Sequence, residues 1–539
     1  MNHGFTRLAC FAVMCLIMPC VVSASVDDAK TQKAESTSTA DHSKFEALQQ
    51  EFRTGPEVTK ACLTCHTEAS KQLHKTKHWN WKFTNPSTGQ TVGKQAIINN
   101  FCLSVTKNEP RCTSCHIGYG WKDDTFDFAS EENVDCLVCH DTTGTYKKYP
   151  AGAGHPAYED KMFPPKGKGG KLFKAADLKK VAQNVGQTSR ATCGACHFYG
   201  GGGDGVKHGD LDSSMTNPDK QLDVHMGTDG LNFDCADCHT TDGHQTAGSR
   251  IEITARDTHG IDIIGRDDGS RATCESCHGE RPHKDTVNDK LNDHTDRVAC
   301  QTCHIPTYAR GGVPTKTWWD WSTAGKKTAD GKPIKTKDEN NYVTYVTKKG
   351  NFEWGENLEP EYAWLSGKVR FRQLDEKIDP DGVTALNDFE GSYEDENARI
   401  WPFKVMRGKQ PYDKVNNTLA IAHLFGKNPD SYWKSYSWNK ALASAMKAAG
   451  AEFSGEYGFL ETTMHWPLTH MIAPKEEALD CVSCHAANAR LAGLTDFYMP
   501  GRDKNSILDI IGWLAVVGTL GGVLLHGTIR LIVNRRRDS

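Results

Sequence analysis

Sixteen cysteines of this chain stand in eight repeats of the unit Cys-x-x-Cys-His. In such a unit two thiols add across the vinyl groups of one haem, and the adjacent imidazole reaches the iron from the same side. Zinc sites or disulfides followed by a histidine would not produce eight such repeats by chance. The spacing therefore predicts eight covalently bound haem c groups, one for each unit. The predicted attachment cysteines are Cys62, Cys65, Cys112, Cys115, Cys136, Cys139, Cys193, Cys196, Cys235, Cys238, Cys274, Cys277, Cys300, Cys303, Cys481 and Cys484, and the predicted proximal ligands are His66, His116, His140, His197, His239, His278, His304 and His485.

The second axial ligand of each haem must come from outside the units, and a neutral imidazole is usual in electron-transfer haems. Thirteen histidines between residues 25 and 506 lie outside the units, so their number permits eight bis-histidine haems and reveals no open site. His42 stands in a polar N-terminal stretch and is predicted to be exposed to solvent. The histidines predicted as further ligands are His78, His208, His225, His244, His283, His294 and His470.

Cys102 is the one cysteine after residue 24 that no unit uses. A free cysteine is most often a small buried apolar residue, so packing is one interpretation of Cys102. Its position ten residues before Cys112 supports the other interpretation, a thiol beside a reactive haem. An unassigned thiol in an exported protein warrants attention.

The spacing of the units predicts a fold in which haems replace the usual apolar core. Residues 56–304 hold seven units, which leaves too little polypeptide for a separate core around each haem. We therefore expect a multihaem cytochrome c fold with mainly short α-helices and loops around a haem core, and minor β-structure. Residues 305–500 carry the eighth unit and nine of the 13 tryptophans, and are predicted to be a scaffold that docks the last haem. Within them, residues 342–346 and 368–374 alternate like strands, and 431–449 have helical spacing.

Both ends of the chain carry signals for export and anchoring. Residues 1–24 are predicted to be a cleaved signal peptide, because an apolar run ends in a small-residue site after Ala24. Residues 25–55 have the composition of a flexible lead-in. Residues 507–533 are long and apolar enough for a transmembrane helix, and the arginines of the tail 534–539 place that tail in the cytoplasm. The body is then expected on the periplasmic face of the inner membrane, held by one C-terminal helix.

The charge balance argues against one class of partner. The formal net charge is -4, from 64 Lys+Arg and 68 Asp+Glu, so the chain lacks the basic excess that binds a polyanion. We expect no nucleic acid as a partner. His526 lies within the predicted membrane helix, where an ionisable group is costly, and we interpret it as a residue that faces a partner subunit.

Several long motifs resemble the octahaem tetrathionate reductase family, which is related to hydroxylamine oxidoreductase-like octahaem proteins. The similarity spans roughly residues 56–490. The segments that carry it are Asn100-Phe101-Cys102 before the unit at 112–116, residues 134–143, the stretch 196–210 with its run of glycines, and residues 469–476.

The resemblance implies that the second haem is the catalytic one, with a lysine in place of a distal histidine and a free cysteine nearby. Cys102 matches that cysteine, and His116 would be the proximal ligand. Lys207, the one lysine of the glycine-rich stretch, is assigned as the distal ligand; Lys179 and Lys180 remain alternatives because residues 146–178 look like an insertion. A lysine binds iron only as a neutral amine, so its site must suppress protonation.

The reaction implied by the resemblance is the reduction of tetrathionate to two thiosulfates, and related members reduce nitrite or hydroxylamine. The C-terminal helix departs from soluble members of the family. It indicates electron supply from the quinol pool, through a membrane cytochrome b or another quinol-linked donor, to a small inorganic substrate. Two other interpretations stay open: a pure electron conduit with eight bis-histidine haems, and a relative that oxidises hydroxylamine.

Overall fold

Short helices make up most of the regular structure in the part of the chain that carries the first seven units. The computed structural model describes residues 38–165, 170–262, 271–283 and 289–537, so the predicted signal peptide 1–24 lies outside the described residues. Most of these helices are one or two turns long, and several coincide with a unit. They span Gly55–Leu63, Ala69–Leu73, Lys77–Asn80, Glu109–Cys112, Leu137–His140, Leu178–Ala182, Arg190–His197, Cys235–Cys238, Glu275–His278, Lys290–His294 and Cys300–His304.

A nine-stranded mixed sheet occupies residues 305–500. Its longest strand, Arg399–Asp413, pairs antiparallel with Tyr457–Pro467 and parallel with Thr315–Asp320. From one edge to the other the strands are Thr384–Ala385, Tyr457–Pro467, Arg399–Asp413, Thr315–Asp320, Gly350–Gly355, Val343–Val346 and Lys335–Lys337, while Glu361–Leu365 and Thr418–Leu419 also pair with Arg399–Asp413. Two-stranded ribbons elsewhere pair Phe83–Thr84 with Thr91–Val92, Lys161–Phe163 with Lys171–Phe173, Thr241–Asp242 with Gln245–Thr246, and Val369–Phe371 with Asn387–Phe389.

The largest apolar core of the described residues packs around this sheet. Tryptophans dominate it, and four of them, Trp319, Trp321, Trp401 and Trp466, are at most 4% exposed. Burying one such side chain removes about 150–250 Å² from water, which is a large share of what a small core can bury. The tryptophan-rich stretch therefore has a well-packed apolar core around its sheet.

The predicted fold class is confirmed, with a sheet larger than the expected minor β-structure. Residues 343–346 and 369–371 form strands, as their alternation predicted. The segment 431–449 forms two helices, Tyr432–Ser435 and Trp438–Ala448, because Tyr436 between them adopts a left-handed conformation with φ 55°. A residue in the left-handed conformation ends an α-helix, so the one helix predicted for this segment is divided into two.

The two ends of the described chain differ from one another in packing. Residues 38–55, predicted to be flexible, contain the 3-10 turns His42–Lys44 and Glu46–Leu48, and Leu48 is 5% exposed in a core with Leu178 and Val181. The C-terminal helix Ser506–Arg537 has 32 residues, is strongly apolar and has no buried residue among those described. Its length and composition suffice to cross a membrane.

Candidate haem sites

Five haem units, at 136–140, 193–197, 235–239, 274–278 and 300–304, fold as short helices or helical turns. In Leu137–His140, Arg190–His197 and Cys300–His304 the turn includes the second cysteine and the histidine of the unit. Residues three and four apart in a helix share one face. The two thiols and the imidazole of a unit therefore lie on the same side of the turn, as attachment of one haem requires.

A second feature orients the imidazoles of several units. The Nδ1 atom of His140 lies 2.8 Å from the Gly186 carbonyl, that of His239 lies 2.9 Å from the Ala247 carbonyl, and that of His485 lies 2.8 Å from the Pro500 carbonyl. Donation from Nδ1 to a carbonyl fixes the tautomer and leaves Nε2 as the basic nitrogen. These histidines thus have the arrangement of an iron ligand.

Six unit histidines face a second histidine ring at nearly constant distance. The ring centroids lie 6.0 to 6.4 Å apart. An imidazole nitrogen binds a metal at about 2 Å, so two rings on opposite sides of one ion have centroids about 6 Å apart. The pairs therefore fit bis-histidine haems, and they are His42 with His66, His78 with His197, His225 with His278, His470 with His239, His283 with His304, and His294 with His485.

His42 departs from the sequence-based prediction of solvent exposure. Its ring is half-buried and stacks at 6.3 Å on His66 of the first unit. The polar composition around it concealed this role, because the segment 38–55 is held by only a few apolar side chains such as Leu48. The remaining signal was a lone histidine shortly before a haem unit.

Two of the predicted further ligands are not seen in a ring pair with a unit histidine among the described residues. The Nδ1 of His244 lies 2.8 Å from Gln72 Oε1, and His140 of the third unit is close enough to lower the pKa of His244, after burial as the larger cause. His208 packs against Trp466 with ring centroids 5.7 Å apart, and Nη1 of Arg250 lies 3.3 Å from its Nε2. His244 thus remains a candidate for the third haem, whereas the side-chain contacts of His208 described here are with Trp466 and Arg250.

The unit at 112–116 differs from the others. The Nε2 of His116 lies 2.7 Å from the Trp79 carbonyl, so the nitrogen that would bind iron is already engaged. The imidazole is fully buried and packs against Trp79, Trp121 and Phe126, with centroids 4.8 to 5.5 Å away. Burial lowers the pKa of His116 to about 3, so the ring is neutral. Within the described chain, no second histidine ring stacks on it.

A lysine amine lies near this unit. The Nζ of Lys207 is 5.0 Å from the ring centroid of Trp466, and the guanidinium carbon of Arg250 is 4.7 Å from the same centroid. Burial lowers the pKa of the Lys207 amine well below its usual range, Arg250 and Lys94 lower it further, and the nearby thiol of Cys115 opposes the shift. The site therefore favours the neutral amine, which is the form that binds iron.

The alternatives Lys179 and Lys180 have different surroundings. Lys179 forms an ion pair with Glu51 at 3.1 Å, and Lys180 is exposed on the short helix Leu178–Ala182. Neither side chain is among the groups that shift the pKa of Cys112, Cys115 or His116. The geometry favours Lys207 over both.

Cys102 and the glycine-rich stretch are in contact. The Cys102 thiol donates a hydrogen bond to the Gly201 carbonyl at 3.6 Å, and Gly201 and Gly202 adopt φ values of 79° and 88°. A side chain at Gly201 would collide with Val206, so the tight path of the loop requires glycine there. The loop thereby brings the thiol to the same site as Lys207.

Basic side chains surround this site. Lys316 is buried and Lys349 is half-buried, and burial lowers the pKa of each amine, while the Cys102 thiol opposes the shift in both. Their Nζ atoms lie 3.9 and 5.5 Å from the ring centroid of Trp319. In the described part of the chain, the neighbours that shift the pKa values of Lys207, Lys316 and Lys349 are cations and thiols, without a carboxylate. Such a site attracts an anion.

Known proteins support the haem assignment. Residues 316–488 match the family described as "Cytochrome c bacterial", and residues 61–141 match the family "Cytochrome c554 and c-prime". An uncharacterised protein of Archaeoglobus fulgidus is 23% identical over 288 residues, which cover 46% of this chain and 95% of that protein.

One solved structure is similar to this chain over nearly its whole length. The crystal structure of octahaem cytochrome c from Shewanella oneidensis is 44% identical, with a TM-score of 0.74, over 86% of this chain and 99% of the other. Cysteines and histidines placed as described above fit covalently bound haem c. The chain therefore belongs to the octahaem c-type cytochromes.

Proposed function

We propose that this octahaem cytochrome is a reductase of a small inorganic anion, with tetrathionate as the first candidate, and that the haem attached through Cys112 and Cys115 is the catalytic one. The observation that carries the proposal is the amine of the half-buried Lys207 beside the unit 112–116, which among the described residues is the one unit whose histidine has Nε2 at hydrogen-bond distance from a carbonyl. Numbering haems by the order of their units, this is haem 2.

We further propose that Lys207 is the protein ligand of haem 2. The sequence-based assignment made His116 the proximal ligand, but its Nε2 would have to leave the Trp79 carbonyl to reach iron. The aromatic rings around His116 oppose that movement, because a close-packed interior resists rearrangement. His116 would then hold the unit in place, and Lys207 would be the side chain that holds the iron of haem 2.

The chemistry suits a cationic site. Reduction of one tetrathionate breaks the central sulfur-sulfur bond with two electrons and yields two thiosulfates. Both substrate and products are dianions, and the Arg250 guanidinium, whose pKa burial lowers only to about 10, would stay charged and offset their charge. The haems supply the electrons, while the chain binds the anion and shields the site. The Cys102 thiol lies where it can contact a sulfur substrate.

The proposal includes location and partners. The helix Ser506–Arg537 would hold the body on the periplasmic face of the inner membrane, with Arg535, Arg536 and Arg537 in the cytoplasm. Electrons would come from the quinol pool through a membrane cytochrome b or another quinol-linked donor. His526 lies within that helix and would face such a subunit.

The test is direct. Purified protein with a reduced dye should consume tetrathionate and release two thiosulfates for each tetrathionate, and cyanide or nitrite should perturb one haem of the ferric protein. If no small ligand binds any haem and no tetrathionate, nitrite or hydroxylamine is consumed, the protein is an electron conduit. Net oxidation of hydroxylamine with electrons delivered to the dye would instead favour the oxidative relative.

A further inference from the structure

The eighth unit is joined to the membrane helix by a very short connection. Gly501 follows the Pro500 carbonyl that accepts from His485 Nδ1, and the helix begins at Ser506. Five residues span at most about 17 Å even when fully extended. The chain itself therefore keeps the histidine of haem 8 near the membrane surface, whatever the orientation of the body.

Hydrogen bonds and an ion pair also hold that connection against the body of the protein. The Arg502 side chain is 6% exposed, and it pairs with Asp503 at 2.6 Å while donating to the carbonyls of Leu491, Leu494 and Phe497. The Asp503 carboxylate accepts in turn from the Met499 amide at 2.7 Å. A guanidinium is planar, so its hydrogen bonds to several carbonyls at once fix the positions of those carbonyls relative to one another. The linker is thus folded onto the haem 8 unit up to two residues before the helix.

The haem 8 site is complete and open to the surface. His485 and His294 have ring centroids 6.0 Å apart, and each donates Nδ1 to a carbonyl, so both keep Nε2 for iron. Cys481 is exposed, and the neighbouring Val482 is 68% exposed. A haem held here could be reached by another protein.

Adjacent units connect this site to haem 2. In each step a cysteine of one unit lies close to a cysteine of the next. The series from haem 8 to haem 2 is Cys484 with Cys303, Cys300 with Cys274, Cys277 with Cys238, Cys235 with Cys193, and Cys196 with Cys115. Haem 1 lies on a separate arm, where Cys62 contacts Cys136 and Cys139 lies near Cys193.

We propose that haem 8 is the port through which electrons enter, and that the partner which docks there is a membrane-embedded quinol-oxidising redox protein beside the helix Ser506–Arg537. Oxidation of one quinol releases two protons and two electrons, and the electrons reduce two ferric haems in single steps. The direction of flow rests on the proposed function, whereas the position of the port rests on the linker.

The first experiment lengthens the linker. Insertion of 20 Gly/Ser residues after Lys504 in the full chain adds a coil with an end-to-end distance of about 25 Å. In membranes given a quinol, stopped-flow absorbance should show haem reduction slowed about tenfold or more, since the partner no longer holds haem 8 within transfer distance. Reduction by dithionite should be unchanged. The same insertion between Asp330 and Gly331, in an exposed turn of the scaffold, is the matched control. Equal quinol-driven rates in both variants would overturn the proposal.

The second experiment identifies the haem that quinol reduces first. His294→Met should raise the potential of haem 8, because a thioether favours ferrous iron. Quinol should then reduce haem 8 quickly and the other seven haems slowly, because an electron leaves a haem of higher potential less readily. A difference of about 59 mV in potential changes the equilibrium constant of a one-electron transfer tenfold. The mirror variant His42→Met places the same change at haem 1. A fast single-haem phase in His42→Met and not in His294→Met would place the port at the other end. Reoxidation of dithionite-reduced protein by tetrathionate is recorded separately, so its failure would count against the reductase and not the port.

Discussion

Lys404 donates hydrogen bonds to the backbone carbonyls of Lys207 and Val206, each at 3.0 Å. Lys404 lies on the central strand Arg399–Asp413 and is fully buried. Burial lowers the pKa of its amine to about 7, and Asp210 opposes the shift. One strand residue therefore positions the loop that presents Lys207. The sheet is thus linked to the proposed catalytic haem through the backbone of its ligand.

Replacing Lys404 should disturb haem 2 alone. Lys404→Met keeps the length of the side chain but leaves two buried carbonyls without their donor, at a cost of about 1–3 kcal/mol each, partly offset by removal of a buried amine. We expect the ferric EPR signal of one haem to change or broaden, with the other seven unaltered. Lys409→Met on the same strand is the control, since Lys409 forms a surface ion pair with Glu461. Identical spectra for the two variants would show that the strand does not position Lys207.

Replacing Lys207 should remove the protein ligand of haem 2. In Lys207→Ala the ferric spectrum of that one haem, and its affinity for cyanide, should change, because the amine no longer binds the iron. Turnover of tetrathionate should fall by about 10- to 100-fold, because a misplaced reacting group is costly. Lys179→Ala, which removes only an ion pair with Glu51, should leave the haem spectra unaltered. If Lys207→Ala changes no spectrum, another residue binds haem 2.

The thiol of Cys102 should matter for turnover and not for haem content. Cys102→Ser retains a small polar group but loses the polarisable sulfur and the thiolate. We expect tetrathionate turnover to fall by about tenfold, with an unchanged pyridine haemochrome value. A simple packing role predicts instead that Cys102→Ala restores the activity lost in Cys102→Ser. The ratio of the two rates separates the interpretations.

The number of haems per chain tests whether every Cys-x-x-Cys-His unit binds one haem. Each unit supplies two thioether sulfurs and a histidine, so the mature chain should contain eight haems per polypeptide. A pyridine haemochrome assay against total protein measures this number. Seven would show that one unit, with the unusual 112–116 the first to examine, is not loaded.

Features with a local sequence pattern could be predicted from the sequence, whereas contacts between residues far apart in the chain could not. The units, the short strands at 343–346 and 369–371 and the apolar helix all have local signatures. The strand Arg399–Asp413 has almost none, because its residues are buried on both faces and show no alternation. Its role as the support of Lys207 follows only from tertiary contacts.

The axial ligands show the same limit. A unit histidine is identified by its neighbours in the chain, whereas the partner of His66 lies 24 residues earlier in a polar segment. The unit at 112–116 obeys the same pattern as the other seven, and only the packing around His116 sets it apart. Spacing therefore predicts where haems attach, while burial decides which side chain can reach the iron.

Removal of the C-terminal helix should release the body from the membrane. The helix Ser506–Arg537 begins after the last unit and has no buried residue among those described, so its loss removes no haem ligand and exposes no core. A chain that ends at Lys504 should appear in the soluble fraction with a full complement of haems, because the Arg502 network keeps the linker folded on the eighth unit. Washed membranes and soluble fractions, probed by haem staining, measure the distribution. The released protein should accept electrons from a reduced dye at the rate of the full chain, whereas retention in washed membranes would show that a second element provides the anchor.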